Sequence, residues 1–181
     1  NDFMKSVSIA FKNEGDVILL IGETRGWLGQ SLYLRDICGR EEGAPPPVDL
    51  AAEKKHGTAI RDLIASGKVT ASHDISDGGL LIALAEMAMA RSIGATISAL
   101  PAGVNHAALF GEDQARYLVT VPMASADAVM AEARAAGVPA LAIGTTGGAT
   151  LALPGETPLA IASLKSAHES WLPDYMSGKA A

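Results

Sequence analysis

The sequence contains a single cysteine, Cys38, among 181 residues. One thiol cannot form an intrachain disulfide or a cysteine-based zinc site, and its isolation is typical of a reducing compartment such as the cytoplasm. Basic residues are also few, because 14 Lys and Arg stand against 20 Asp and Glu and give a net charge of -6. No basic run is interleaved with aromatic residues, so we expect no nucleic-acid partner.

Long apolar runs are absent as well. Asp, Glu or Gly interrupts each run before the roughly 20 residues that span a bilayer, and no charged-then-apolar leader opens the chain. We therefore expect a cytoplasmic protein with no membrane association. The sequence begins at Asn1, which indicates a segment of a longer protein, and its 49% hydrophobic content is enough for one domain over residues 1–181.

Glycine and proline divide the sequence into short units in which strand-like and helix-like patterns alternate. In the first third, residues 7–11 and 17–21 are predicted strands. A helix is predicted from Leu50 to about Ala65, because Asp49 is a suitable N-cap and Gly67 a suitable stop. A glycine-rich turn with a short helix should lie between these strands and the capped helix.

Further along, a brief strand over residues 69–72 should lead to a second main helix from Gly79 to about Arg91, and residues 94–99 should return as a strand. The pattern in the last third of the sequence predicts a strand, a helix and two more strands, in that order. Its final segment, with Trp171 and Tyr175, is expected to pack back on the domain. This alternation favours an α+β fold with helices layered on a mixed sheet.

The stretch SHDISDGGLLIALAEM, residues 72–87, concentrates polar groups at the start of a strongly apolar helix. Unsatisfied N–H groups at a buried helix start cost about 1–3 kcal/mol each. Ser76 and Asp77 can cap this helix, while the glycine pair 78–79 would let an anion such as a phosphate approach the backbone. Asp74 adds nothing to capping and could hold a phosphate only through a divalent cation.

The stretch LFGEDQARYLVTV, residues 109–121, places a second acidic turn before an apolar strand. Glu112 and Asp113 offer oxygen ligands to Mg²⁺, which binds one or two carboxylates together with substrate phosphates. Gln114 could hydrogen-bond a neutral polar substrate. The alternatives remain open: a solvated loop in which Arg116 pairs with an acid, and, for the first motif, ordinary N-capping with His73 as a hydrogen-bonded strand-end residue.

These two motifs, with LGQSLYL upstream and AIGTTGGATL downstream, resemble phosphoribosylformylglycinamidine synthase across essentially the whole chain. The similarity is to the C-terminal segment of the small-type synthetase subunit. It implies a three-layer α/β/α sandwich with a mixed sheet, the C-terminal-type domain of the aminoimidazole ribonucleotide synthetase superfamily. LGQSLYL departs from the commoner LGGSEYL form of the family, so no role is assigned to that turn.

The resemblance also implies an activity and a set of contacts. The family is an ATP-dependent ligase that converts formylglycinamide ribonucleotide and glutamine-derived ammonia to the amidine in de novo purine biosynthesis. By similarity, Asp74 and Gly111 would contact ATP, Glu112 would bind Mg²⁺ and Gln114 would contact the substrate, with Ser76 a further nucleotide contact. No catalytic residue is expected in this segment, because the family's catalytic histidine belongs to the first segment of the synthetase.

The implied partners are the N-terminal segments of the same synthetase, a glutaminase subunit and a small bridging subunit, and the fragment alone should be inactive. Cys38 is not expected to be a glutaminase nucleophile, since the residues around it lack that pattern. Two alternatives stay open. One is another superfamily member, such as selenophosphate synthetase; the other is a docking module that binds no ligand.

Overall fold

A seven-stranded mixed sheet organises the part of the chain that the computed structural model describes, residues 5–103 and 105–178. Its spatial order is β2-β4-β1-β5-β3-β6-β7. Neighbouring strands are antiparallel except for β3 and β6, which are parallel, so the predicted mixed sheet is confirmed. The strands are β1 Val17–Ile21, β2 Ala71–Asp74, β3 Ala95–Ile97, β4 Tyr117–Val121, β5 Ala140–Thr146, β6 Thr150–Ala152 and β7 Leu159–Ala160.

Five α-helices accompany the sheet within the described residues. They are α1 Leu50–Ala65, α2 Gly79–Met89, α3 Asn105–Phe110, α4 Ala126–Ala135 and α5 Ile161–Met176. One π-helical turn, Tyr33–Ile37, and one 3₁₀ turn, Met123–Ser125, lie in the connections. No helix among residues 5–103 and 105–178 combines the length and the apolar character needed to cross a bilayer.

The central strand β1 divides the core into two layers. Because successive side chains of a strand point to opposite faces, Ile18 and Leu20 join one apolar cluster and Leu19 and Ile21 join the other. The first cluster includes α2 and the start of α5, and the second includes α1 and α4. Helices therefore cover both faces of the sheet, and the predicted three-layer α/β/α sandwich is confirmed.

Helix α1 matches its prediction at both ends. The Asp49 carboxylate accepts the N–H groups of Ala51 at 2.9 Å and Ala52 at 3.0 Å, and these two bonds, that of Ala52 first, lower the pKa of Asp49. The helix stops before Gly67, which takes a left-handed φ of +70° that a side chain disfavours. Local capping chemistry is thus enough to define this element.

Residues 7–11 are not a strand, so that prediction is wrong. Their backbone forms isolated bonds instead of a ladder, such as Phe11 N–H to Met87 O at 3.2 Å. The Phe11 side chain is completely buried in the cluster around α2. The apolar character that indicated a strand therefore reflects a side chain that fills the core. The strand predicted over residues 17–21 has the expected bounds, the other predicted strands are present with ends shifted by one or two residues, and α2 ends at Met89 rather than near Arg91.

Helix α5 also departs from expectation. Its first turn packs into the core through Ile161 and Leu164. Trp171 and Tyr175 are 60% and 59% exposed and stack on each other with ring centroids 5.4 Å apart. The prediction that this segment packs back on the domain is therefore wrong for its aromatic side chains. They bury ring surface against each other, and neither joins a core cluster of the described residues.

Candidate functional site

The two acidic turns come together because their strands are neighbours. Strand β2 pairs with β4 in antiparallel register, which sets Asp74 opposite Tyr117. The turn that follows β2 and the turn that precedes β4 therefore emerge at the same edge of the sheet. A backbone bond from Ile75 N–H to Arg116 O, 2.9 Å long, continues the pairing beyond the strand ends.

Glu112 joins the two turns directly. Its Oε1 atom accepts the N–H of Gly78 at 2.8 Å and the N–H of Leu32 at 2.9 Å. The first bond satisfies a donor at the start of α2, which is the task that the sequence predicted for Ser76 and Asp77. Those two side chains are exposed, and α2 has no side-chain bond from its own N-cap residue. The local-cap prediction is wrong because a carboxylate from the second turn occupies that place.

The glycine pair at the start of α2 serves a close contact within the chain. Gly79 has a φ of +73°, and a Cβ atom there would lie 2.7 Å from both Gly111 O and the carbonyl carbon of Phe110. Gly78, at φ +79°, donates its N–H to Glu112. The expectation that this pair opens the backbone to an anion is thus not met, since the turn before β4 already fills the space.

Gly111 is buried, and both of its backbone polar atoms are bonded inside the chain. Its N–H donates to Ala107 O at 2.9 Å, and its carbonyl accepts from Arg116 Nη2 at 2.5 Å. A Cβ atom at this position would lie 2.5 Å from Ala107 O and 2.8 Å from Gly26 Cα. The structure thus gives Gly111 a packing role, and its contact with ATP stays a prediction.

Asp113 is only 6% exposed, so the solvated-loop alternative is wrong for this residue. Its carboxylate accepts three consecutive backbone N–H groups, those of Arg25 at 3.1 Å, Gly26 at 2.9 Å and Trp27 at 3.2 Å. Both oxygens are used in this way. Asp113 therefore fixes the loop that follows β1, and its burial and its bonds to that loop give it a structural role.

Arg116 is the buried cation of this edge, with 1% exposure. Its guanidinium donates to Asp113 O at 3.1 Å, Thr24 Oγ1 at 3.2 Å and Gly111 O at 2.5 Å, and it lies 3.8 Å from the Asp113 carboxylate. Burial lowers the pKa of Arg116, and Asp113 opposes part of that effect. The sequence indicated pairing with an acid but not a buried position that links two loops to the sheet.

Asp74 remains accessible at the end of β2, with a side chain 68% exposed. His73 beside it is mostly buried; its Nε2 atom is 2.8 Å from Glu86 Oε2, and its Nδ1 atom is 3.4 Å from Asp74 Oδ1. The interpretation of His73 as a hydrogen-bonded strand-end residue is thus confirmed. The pKa of Tyr117, opposite Asp74, is raised by burial first and then by Glu53 and Asp74.

Gln114 is exposed, and its Nε2 atom is 3.5 Å from Glu112 O. It borders a small cleft of about 90 Å³ beside the loop that Asp113 fixes. A larger cavity of about 340 Å³ lies between α1 and α4 and is lined by none of the predicted site residues. Residues that line the small cleft include Glu23, Arg25, Trp27, Pro46, Asp49 and Asp113.

The donor set at this edge fits a magnesium ion only in part. Glu112 Oε1 already accepts two N–H groups, so Oε2 is the oxygen of that carboxylate left for a ligand. Within residues 5–103 and 105–178, no cluster of three or more His, Cys, Asp or Glu side chains could hold a metal ion. Because Mg²⁺ binds through one or two carboxylates with phosphates and water, this edge offers the Oε2 atom of Glu112 and the exposed carboxylate of Asp74 but no cage made only of protein ligands.

The structure is a three-layer α/β/α sandwich with two acidic turns joined at one edge of the sheet, and the family comparison identifies the class of protein with these features. Residues 13–152 match the sequence model of the AIR synthase related protein C-terminal domain, and the chain belongs to this family. It is 65% identical to phosphoribosylformylglycinamidine synthase subunit PurL of Bradyrhizobium sp. strain ORS 278 over 182 aligned residues. That alignment covers 100% of this chain and 25% of the relative, so the chain spans about a quarter of its curated relatives.

Solved structures agree on the fold. Thermotoga maritima PurL complexed with FGAR superposes with a TM-score of 0.74 at 19% identity and covers 90% of this chain and 30% of that one. Thermotoga maritima PurL complexed with ATP gives a TM-score of 0.69 at 18% identity, over 90% of this chain and 28% of that one. The domain match and the 65% identity confirm the resemblance based on the two motifs.

Proposed function

We propose that this chain is one domain, over residues 1–181, of a synthetase that uses ATP to convert formylglycinamide ribonucleotide and glutamine-derived ammonia to the amidine in purine biosynthesis. The 65% identity to PurL over the full chain supports this activity, and the quarter share of the relative supports a part of a longer polypeptide. A cytoplasmic location is part of the proposal and rests on the single cysteine.

One observation carries the site assignment: Glu112 bonds to Gly78, so the turn that contains Asp74 and the turn that contains Gln114 share one edge. In this proposal Asp74 and Gly111 contact ATP, and Gln114 contacts the substrate from the small cleft. Gly111 would contribute van der Waals contact and no hydrogen bond, since its N–H and carbonyl are bonded within the chain.

Phosphoryl transfer requires mainly positioning and charge neutralisation from a protein. Glu112 would hold Mg²⁺ through its free Oε2 atom, while its Oε1 atom keeps the two turns joined. A bound magnesium ion would supply neutralisation of the nucleotide phosphates. Asp113 and Arg116 would keep the loops rigid, and this chain would contribute contacts but no nucleophile or general base.

The proposed partners are the remaining segments of the synthetase, the glutaminase subunit and the small bridging subunit. Thermotoga maritima PurL has been solved with FGAR and with ATP, which supports the two ligands. A different superfamily enzyme, such as selenophosphate synthetase, would have a single N-terminal-type domain ahead of this chain. The length of the relatives favours the synthase instead.

The test uses the full-length synthetase and steady-state kinetics. We expect Asp74→Asn to raise the KM for ATP and Glu112→Gln to raise the Mg²⁺ requirement, each by about tenfold or more, because each removes one charge from the ligand site. Gln114→Ala should raise the KM for the ribonucleotide while the KM for ATP stays unchanged. Glutamine at position 112 can still accept both N–H groups, so thermal melts should match the parent protein closely.

The matched control is Asp62→Asn, which removes one carboxylate charge from an exposed position of α1 that pairs with Arg61. Its kinetic constants should equal those of the parent. If Asp74→Asn and Glu112→Gln behave like this control, the domain binds neither nucleotide nor metal, and the docking-module alternative takes its place.

A further inference from the structure

The second half of helix α5 presents a large apolar surface to water. Trp171, Leu172, Tyr175 and Met176 are 60%, 57%, 59% and 76% exposed. An open groove of about 790 Å³ runs beside Trp171 and Leu172. Isolated exposed apolar side chains are ordinary, but a contiguous set of four large ones marks a surface that another molecule or domain covers. We call these four residues the α5 patch.

The α5 patch continues the stripe that already packs into the core. Ile161 and Leu164 in the first turns contact the cluster around α2. Positions 161, 164, 168, 172 and 175 follow one another at intervals of three and four, so they share one face of the helix. One face of α5 is therefore buried at its start and exposed at its end, as expected if another domain packs against this end and extends the same core.

The patch also lies on a segment of low intrinsic stability. Pro173 stands inside the helix, where it removes a backbone N–H and costs about 3 kcal/mol relative to alanine. Short helical segments are marginal in water without tertiary packing. A helical end that contains an interior proline and four exposed large apolar residues needs a lasting partner to stay folded, which is a requirement that a transient encounter does not meet.

We propose that the α5 patch docks against another part of the same synthetase polypeptide. The curated relative is about four times as long as this chain, so most of that polypeptide lies outside the structure. A covalently attached domain is present at high effective concentration, which favours it over a second copy. Transient interfaces are no more apolar than ordinary surface, whereas the patch is strongly apolar, which disfavours a glutaminase that docks reversibly.

Hydroxyl-radical footprinting of the full-length synthetase tests this docking. For each residue, the oxidation rate in the unfolded protein is divided by the rate in the native protein. We expect Trp171, Tyr175 and Met176 to react at least about fivefold more slowly in the native protein. Met123, which is 63% exposed on the 3₁₀ turn, is the internal control and should show little protection.

Three results would overturn the proposal. The patch could be as reactive as Met123 in the full-length protein, which would leave it uncovered. Its protection could disappear on dilution, which would identify a second copy as the occupant. The protection could instead appear only when the glutaminase or the bridging subunit is added, which would identify another chain as the occupant.

A variant gives a second measurement. Leu172→Glu in the full-length protein should restore the reactivity of Trp171, whereas Met123→Glu should leave it protected. Unaltered protection of Trp171 in Leu172→Glu would contradict the docking. This inference rests on the proposed function only in taking the chain as part of a longer synthetase, and footprinting needs no activity. Protection of the patch with no kinetic effect of Asp74→Asn would therefore support docking and reject the ligand site.

Discussion

The buried guanidinium of Arg116 supports a quantitative prediction. Arg116→Met removes three hydrogen bonds, to Asp113 O, Thr24 Oγ1 and Gly111 O, and leaves the Asp113 carboxylate without its nearby cation. Unsatisfied buried acceptors cost about 1–3 kcal/mol each, and loss of one partner of a buried ion pair costs about 3–5 kcal/mol in total. Because the three backbone N–H groups on Asp113 remain, we expect a loss of about 3–5 kcal/mol and no more.

Urea unfolding of the chain, monitored by circular dichroism, measures this loss of stability as a shift in the unfolding midpoint while the dependence of the free energy on urea concentration stays unchanged. Domain stabilities are about 5–15 kcal/mol, so the effect is large. Arg116→Lys keeps the charge but loses the planar fork, and it should fall between the parent and Arg116→Met. Arg61→Met is the control, because Arg61 is exposed and pairs with Asp62 at 3.6 Å, and it should cost under about 0.5 kcal/mol.

A loss of less than about 1 kcal/mol for Arg116→Met, or an unfolding midpoint equal to that of Arg61→Met, would contradict this prediction. Such a result would mean that water replaces the guanidinium, and that the two loops are held by Asp113 and Glu112 alone.

Two further predictions concern the same edge. Gly79→Ala should lower the free energy of unfolding by about 2–4 kcal/mol, since it combines a left-handed φ with a Cβ atom 2.7 Å from Gly111 O. The control is Gly155→Ala, at φ +77° with nothing within 4 Å, which should show the backbone cost alone. Equal losses for the two variants in urea unfolding would exclude the close contact at Gly79. The raised pKa of Tyr117 means that folding favours its neutral form, so this stability is complete below the unfolded pKa and is lost as pH rises through the folded pKa. Tyr117→Phe should therefore weaken the alkaline decline of the midpoint, and an identical pH profile would contradict the assignment.

How much of the fold could be predicted depended on where each signal lies in the chain. Both ends of helix α1 could be predicted because Asp49 and Gly67 act on their own neighbours. The segment around Phe11 could not be assigned correctly because its apolar side chain packs in the cluster around α2, an element far away in the sequence. Period and propensity describe local preference, and they carry no information about which distant group fills a given space.

At the candidate site, too, local features of the sequence could be predicted and features that depend on distant contacts could not. The acids of both turns were found from composition and order, and the structure brings those turns together at one edge. The individual roles were not predictable, since Asp113 and Glu112 are adjacent and chemically alike. Asp113 is enclosed by three N–H groups, whereas Glu112 bridges to α2. Only the path of the loop after β1 separates them, and that path depends on tertiary contacts.

Strand β1 imposes an order on how this protein folds. It pairs with β4 on one side and β5 on the other, so both of its partners come from the second half of the chain. At a synthesis rate of about 5–20 residues per second, the roughly 120 residues between β1 and β5 take about 6–24 s to emerge. Strand β4 emerges only near the end of that interval, so for most of it the apolar sequence VILLI has no partner strand, and nascent chains should depend on chaperones until β4 and β5 leave the ribosome.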